Sequence, residues 1–322
     1  IYVVNGNHDI NNSDAEDFSS GKAVKALKTT PADFINIYKD FTFNEASAIF
    51  TPSNGESASL SYVVSPREGY TFIGVDSCKY SSDSTSSGKN EHETDGAVSD
   101  ELKDWIIEQA RIAKGKGDTV ILLQHHGIVP HFDEEPEILS EYLVDNYQEI
   151  SKTYADAGIK YVFTGHMHSN DISKLTTEAG NDIYDIETGS AVTYPCPIRS
   201  VDFIKEKEED KVKESAKINS DLINNLNYID KDTGKSIDNL KEYSYKNCIK
   251  PGFFITNAQD FVNSYLEQVK NLGGLKNYLS SKLGKDVGDY VIDSIKKTLP
   301  NDSQNALNID GKAKAYYDSL NG

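Results

Sequence analysis

Ile1-Tyr2-Val3-Val4-Asn5-Gly6-Asn7-His8-Asp9 opens the chain as a short apolar run that empties into a tight turn carrying an amide, an imidazole and a carboxylate. Two later stretches share the layout. Thr119-Val120-Ile121-Leu122-Leu123-Gln124 runs into His125-His126-Gly127, and Ile159-Lys160-Tyr161-Val162-Phe163-Thr164 runs into Gly165-His166-Met167-His168. Each run is rich in β-branched or aromatic residues and too short for a helix, which predicts three buried strands that stop at groups able to bind a metal. Five of the seven histidines stand at these three ends. Ligands gather at strand ends of α/β sheets, so the three turns are expected to share one pocket.

The rest of the chain supports that layering. Ser99 is a capping residue before the acidic turn Asp100-Glu101, and Leu102, Trp105, Ile106 and Ala113 share one helical face. This helix, the 119–124 strand, a helix over residues 138–157 and the 159–164 strand alternate as an α/β fold requires. Thr30 and Pro31 start a helix. Residues 59–65 and 70–76 make a hairpin about an Arg67-Glu68-Gly69 turn. Residues 11–20 read as loop, 22–27 as a short helix, and 81–96, which include His92, as a surface loop. After 205 the chain turns charge-dense and then reads as amphipathic helices, for example over 260–266 and 287–299. A boundary there gives two domains, 1–204 and 205–322, with no internal repeat.

With 322 residues, 37% hydrophobic and 10% aromatic, the chain has ample material for a packed core. It has no run of the roughly 20 apolar residues that a membrane span needs. A net charge of −18 without a Lys/Arg cluster argues against nucleic acid as partner. An anionic substrate remains compatible if bound metal supplies positive charge locally. Cys78, Cys196 and Cys248 are odd in number and far apart, which reads as ordinary thiols. This composition suits an exported protein of a Gram-positive bacterium and a cytoplasmic one alike.

An amide oxygen and imidazole nitrogens form a mixed donor set for Zn, Mn, Fe or Ni, and the absence of thiolates from the turns favours an open catalytic site. Gly6-Asn7-His8-Asp9, His125-His126 and Gly165-His166-Met167-His168 resemble, in order, the third, fourth and fifth signature motifs of the calcineurin-like metallophosphoesterases, a superfamily that includes purple acid phosphatases and class III cyclic-nucleotide phosphodiesterases. The resemblance spans residues 1 to about 170 and implies a four-layer α/β/β/α sandwich with a C-terminal helical addition. It implies that Asn7, His125 and His166 bind one divalent ion and His168 a second. His8 would assist the leaving group and Asp9 would hold the His8 ring. Two ions about 3.5–4 Å apart would share a hydroxide that attacks a phosphate monoester or diester in line.

The family's first two motifs, Asp-x-His and a Gly-Asp pair, have no counterpart before Ile1. The chain is therefore read as part of a longer polypeptide, its N-terminal segment a missing partner. The 322 residues alone are expected to bind metal poorly and turn over slowly. The rival reading is a non-catalytic cell-surface or adaptor module with an incomplete site. His126 is open between packing and supporting a ligand, and His131 reads as loop. Asn170 and Asp171 read as turn-formers, Arg199 as a surface ion pair in preference to a contact with substrate phosphate, and Phe253, Phe254, Tyr265, Tyr316 and Tyr317 as core or interface residues.

Overall fold

The computed structural model describes residues 1–12, 15–17, 19–53, 60–81, 91–191, 193–208, 211–226, 229, 234 and 236–248. The polypeptide divides into two compact units, Ile1–Ser244 and Tyr245–Gly322, and every described strand belongs to the first. The helices expected over 260–266 and 287–299, and the five aromatic residues of the tail, lie outside the described residues.

The N-terminal run is not a strand. Its polar backbone groups go to side chains: Thr42 Oγ1 accepts Val3 N–H at 3.2 Å, and Tyr62 OH donates to Val3 O at 2.9 Å. Tyr2, Val3 and Val4 still pack on the cluster of Ile10, Phe34, Phe43, Leu60, Tyr62 and Val64, so burial rather than ladder pairing fixes the opening turn. Next come the paired two-residue strands β1 (Glu16–Asp17) and β2 (Val24–Lys25). They replace the short helix expected over 22–27. All four residues are exposed, leaving no apolar stripe to hold a helix. Helix α1 (Pro31–Tyr38) begins as its sequence predicts, with Thr30 and Asp33 forming a reciprocal capping box.

Strands β3 (Ala48–Ile49), β4 (Tyr62–Arg67) and β5 (Tyr70–Val75) are antiparallel neighbours, with Gly69 at φ +83° in the β4–β5 turn. A ribbon of β6 (Cys78–Ser81) and β7 (Glu91–Gly96) comes after them, where the sequence predicts loop. Its pairing partner is a segment as polar as itself, so no apolar pattern announces it. Helix α2 (Asp100–Gly115) is capped by the Ser99 side chain. Strand β8 (Thr119–Gln124), the one-turn α3 (Glu135–Ile138), α4 (Tyr147–Asp156) and β9 (Tyr161–Thr164) complete the alternation. Strands β10 (Ile172–Thr176) and β11 (Asp182–Glu187) form an antiparallel pair.

Among the described residues the main sheet has seven strands in the order β10-β11-β9-β8-β5-β4-β3. Strands β5, β8, β9 and β11 are mutually parallel, so their C-terminal ends reach one edge together. One face is covered by helices: Leu102, Ile106 and Ala110 of α2 and Ile150, Tyr154 and Ala155 of α4 pack with Ile73, Val120, Leu122 and Val162. The alternate residues of the same strands, Phe72, Ile121, Leu123, Tyr161 and Ile186, face the other way onto Phe203, Ala216 and Ile218. Burial on both faces is why these strands read as continuous apolar runs.

The residues on that second face belong to a two-stranded sheet, β12 (Pro197–Glu208) and β13 (Lys211–Leu222). Helix layer, mixed sheet and second sheet are thus the layers that the described residues supply. Here the helical reading of the chain beyond 205 is corrected. Residues 213–218 alternate between exposed and half-buried, a period of two that dense charge obscured. Past Ile204 the register sets Lys205 opposite Glu214, Glu206 opposite Lys213 and Glu208 opposite Lys211. Lys205 Nζ donates to Gly69 O at 2.9 Å and Gly117 O at 3.1 Å, which ties the ribbon to the sheet across residue 205. Helix α5 (Leu240–Cys248) is the last of the described elements, with Leu240 packed on Cys196 and Ile237.

Candidate metal centre

The parallel strands deliver Asp76, His125, Gly165 and Thr188 to one sheet edge, and the opening turn meets them there. His125 Nε2 lies 3.0 Å from Asn7 Oδ1 and 3.0 Å from His166 Nδ1. The roles of these atoms are set by what surrounds them. The carbonyl of Thr94 can only accept, and it lies 3.1 Å from His166 Nε2, so that nitrogen carries the proton and Nδ1 carries a lone pair. His125 Nε2 must then donate toward both Asn7 Oδ1 and His166 Nδ1. The same Thr94 carbonyl takes the Nε2–H of His126 at 2.9 Å, leaving His126 Nδ1 to accept from Ser77 Oγ at 2.9 Å.

Three potential donor atoms from three turns therefore share one proton, carried by His125 Nε2 and accepted by the lone pairs of Asn7 Oδ1 and His166 Nδ1. Replaced by a divalent ion, that proton would leave an N, N, O donor set suited to Zn, Mn, Fe or Ni. Among the described residues no group of three His, Cys, Asp or Glu stands at metal-holding geometry. The third donor here is an amide, and its other end, Asn7 Nδ2, is buried without a hydrogen-bond partner among the described residues. Burial first, and then the imidazoles of His166, His126, His168 and His8, hold the His125 pKa down at about 2. Burial likewise lowers His166 to about 3. Both rings thus stand neutral at physiological pH, the state in which imidazole ligates.

Close approach requires glycine here. A Cβ on Gly6 would lie 2.8 Å from His125 Cε1, and one on Gly96 2.4 Å from His126 Cγ. His166 and His168 adopt left-handed backbone, at φ 73° and 61°, with Met167 N–H donating to Gly165 O at 2.9 Å, so a single strained turn aims both rings. His166 is half-buried, whereas His168 is exposed, as is His8 at the tip of the opening turn. Asp9 Oδ2 accepts Gly6 N–H at 2.7 Å, so the carboxylate expected on the His8 ring closes the turn in this structure.

Several residues differ from their sequence reading. His126 is fully buried and doubly bonded, serving packing and support together. Thr94 gives no sign in the sequence, being a backbone acceptor in a segment that reads as loop. Tyr142, 4.6 Å from the His166 ring centroid, carries no signal either. His92 lies in β7, its backbone paired with Tyr80. Arg199, read as a surface ion pair, is in no ion pair among the described residues. It donates to Asn170 Oδ1 at 3.1 Å, Asp171 O at 3.2 Å and Glu187 O at 3.0 Å.

His131 is not a solvated loop residue. Its side chain is only 4% exposed, donates from Nδ1 to Asp171 Oδ2 at 3.0 Å, and sets Nε2 3.6 Å from Asp185 Oδ1 and 3.7 Å from Glu187 Oε2. Burial opposes its charge, but Asp185, Asp171 and Glu187 outweigh burial and push the pKa up to about 9. Glu135 also faces it, through His131 N–H. Burial raises Glu187 to about 7. A raised folded pKa means that His131 stabilises the fold fully below its ordinary value near 6.5 and loses that contribution as pH rises through about 9. Glu187, its folded pKa raised in the same sense, loses its contribution between its ordinary value near 4.5 and about 7, at the lower edge of this window. The melting temperature is therefore expected to fall between about pH 7 and about pH 9.5, and His131→Gln to flatten the slope in differential scanning fluorimetry; an unchanged slope would contradict the charge assigned to His131.

The described residues thus form an α/β protein whose mixed sheet gathers imidazole and amide groups at its parallel edge. The family model described as calcineurin-like phosphoesterase matches residues 1–170, and the chain belongs to that family. No curated protein matches. Among solved structures, a dimetal phosphatase from Danio rerio is similar at 14% identity and a TM-score of 0.31, over 40% of this chain and 49% of its own. The chain thus spans about half the length of that structure.

Proposed function

We propose that the chain acts in metal-dependent hydrolysis of phosphate monoesters or diesters. The observation that carries this reading is the convergence of Asn7 Oδ1, His125 Nε2 and His166 Nδ1 through contacts of 3.0 Å, and family membership supports it. In this reading those three residues hold one divalent ion and His168 contributes to a second. Such ions supply Lewis-acid polarisation of the phosphoryl group and a nucleophile at neutral pH.

The chain's own residues do the rest. Gly6 lets the opening turn sit against the His125 ring, and Thr94 fixes which nitrogen of His166 faces inward. His8 is solvent-accessible at the rim and is assigned to the leaving-group oxygen, as proton donor or charge stabiliser. With a net charge of −18, the protein attracts an anionic ester only where bound cations reverse the local field.

The test is hydrolysis of p-nitrophenyl phosphate and bis(p-nitrophenyl) phosphate with Mn, Zn or Ni, then chelation. Slow release of nitrophenol that chelator abolishes is the expected result for these 322 residues. His8→Ala should lower kcat by about 100-fold at unchanged metal content. Full kcat in that variant would remove His8 from the chemistry. Bound metal with no turnover of either ester would favour the non-catalytic module instead.

A further inference from the structure

Strand β11 carries Asp185 and Glu187 on the same face as Ile183, at its C-terminal end beside the His166–His168 turn. Both acids are buried, at 0% and 2% exposure. Asp185 Oδ1 accepts from Thr164 Oγ1, at the entry to the turn. Its Oδ2 takes the N–H groups of Ile128 at 2.6 Å and Val129 at 3.1 Å, in the segment just after His125-His126. Glu187 takes the exit of the turn: Ser169 N–H at 3.1 Å and Ser169 Oγ–H at 2.8 Å. Thr188 N–H donates to Thr164 O at 3.1 Å, and a Cβ on Gly189 would lie 3.0 Å from His168 O. His131 lies between the two carboxylates, with Nε2 buried and short of a hydrogen bond to either.

Burying two carboxylates is costly, and an apolar core could hold the strand as well or better. What an apolar core cannot do is grip a turn at both ends. Two left-handed histidines separated by one residue persist only where the surroundings over-determine them. We propose that Asp185 and Glu187, with His131 between them, are positioning residues that lock the His166–His168 turn into its ligating shape. The inference rests on the metal-centre reading and adds three residues that touch neither the ion nor the ester.

The experiment uses the full chain and Co(II) alone as probe, following its visible absorption during titration, with melting temperature recorded in parallel. Glu187→Ala and Asp185→Asn are expected to weaken Co(II) binding by about tenfold or more and to alter the shape of the absorption band. Glu187→Gln, which keeps one acceptor for Ser169, should recover part of the loss. Ile183→Ala, on the same strand but buried among apolar residues, is expected to lower the melting temperature and leave Co(II) affinity and band shape unchanged. Wild-type binding in Glu187→Ala and Asp185→Asn, or an equal loss in Ile183→Ala, would overturn the positioning role alone. Absence of any Co(II) band from the unmutated chain would overturn the metal-centre reading, and this inference with it.

Discussion

Replacing His125 by Ala is expected to lower divalent-ion affinity by more than about 100-fold, beyond what removing a supporting group around a metal costs, and to abolish ester hydrolysis. The reason is geometric. His125 Nε2 is the atom that lies 3.0 Å from both other donors, so its loss leaves Asn7 and His166 without a shared centre. The ring is also the wall against which Gly6 packs. Calorimetric titration with Mn(II) would measure the change, with far-UV circular dichroism to show that the sheet survives. An unaltered binding isotherm would place the ion elsewhere and dissolve the site.

Gly6→Ala should act almost as strongly without removing any donor. The added methyl would stand 2.8 Å from His125 Cε1, a separation that real Cβ contacts essentially never show, so turn or ring must shift. Overpacking of this kind costs about 1–3 kcal/mol of stability. Misplacing a catalytic group by about 1 Å can cost about 100-fold in rate. The expected outcome is therefore a modest fall in melting temperature with a loss of kcat/KM near two orders of magnitude. Near-normal kcat/KM would mean that Asn7 and His125 need not meet.

The stretches that can be read in the sequence are those whose signal is local. β8 and β9 alternate between two buried faces and stop at histidines, and Thr30-Pro31 and Ser99 announce their helices, so the layered architecture and the three converging turns follow from periodicity and capping. The turns are legible because imidazoles and amides concentrated at strand ends have few structural uses. What escapes such a reading depends on partners distant in sequence. β7 lacks an apolar stripe and exists because β6 pairs with it. Its Thr94 carbonyl orients two rings through a backbone atom that any residue supplies. The β12–β13 ribbon hides its two-residue period beneath charge. Asp185 and Glu187 leave one trace, acids at inward positions of an otherwise apolar strand, Asp182-Ile183-Tyr184-Asp185-Ile186-Glu187. Only the fold reveals that His131, 54 positions before Asp185, answers them.

The ribbon of β12 and β13 forms a sheet of its own among the described residues, so each strand turns an outer backbone edge to no ladder partner there. Such edges invite recruitment of a second molecule into a growing stack. What the distal charges do fix is the hairpin's own pairing, because a slip of one position from the native register would set Lys against Lys or Glu against Glu along its length. The alternation of sign that masks this hairpin in the sequence thereby acts as a ruler that holds its two strands in one alignment.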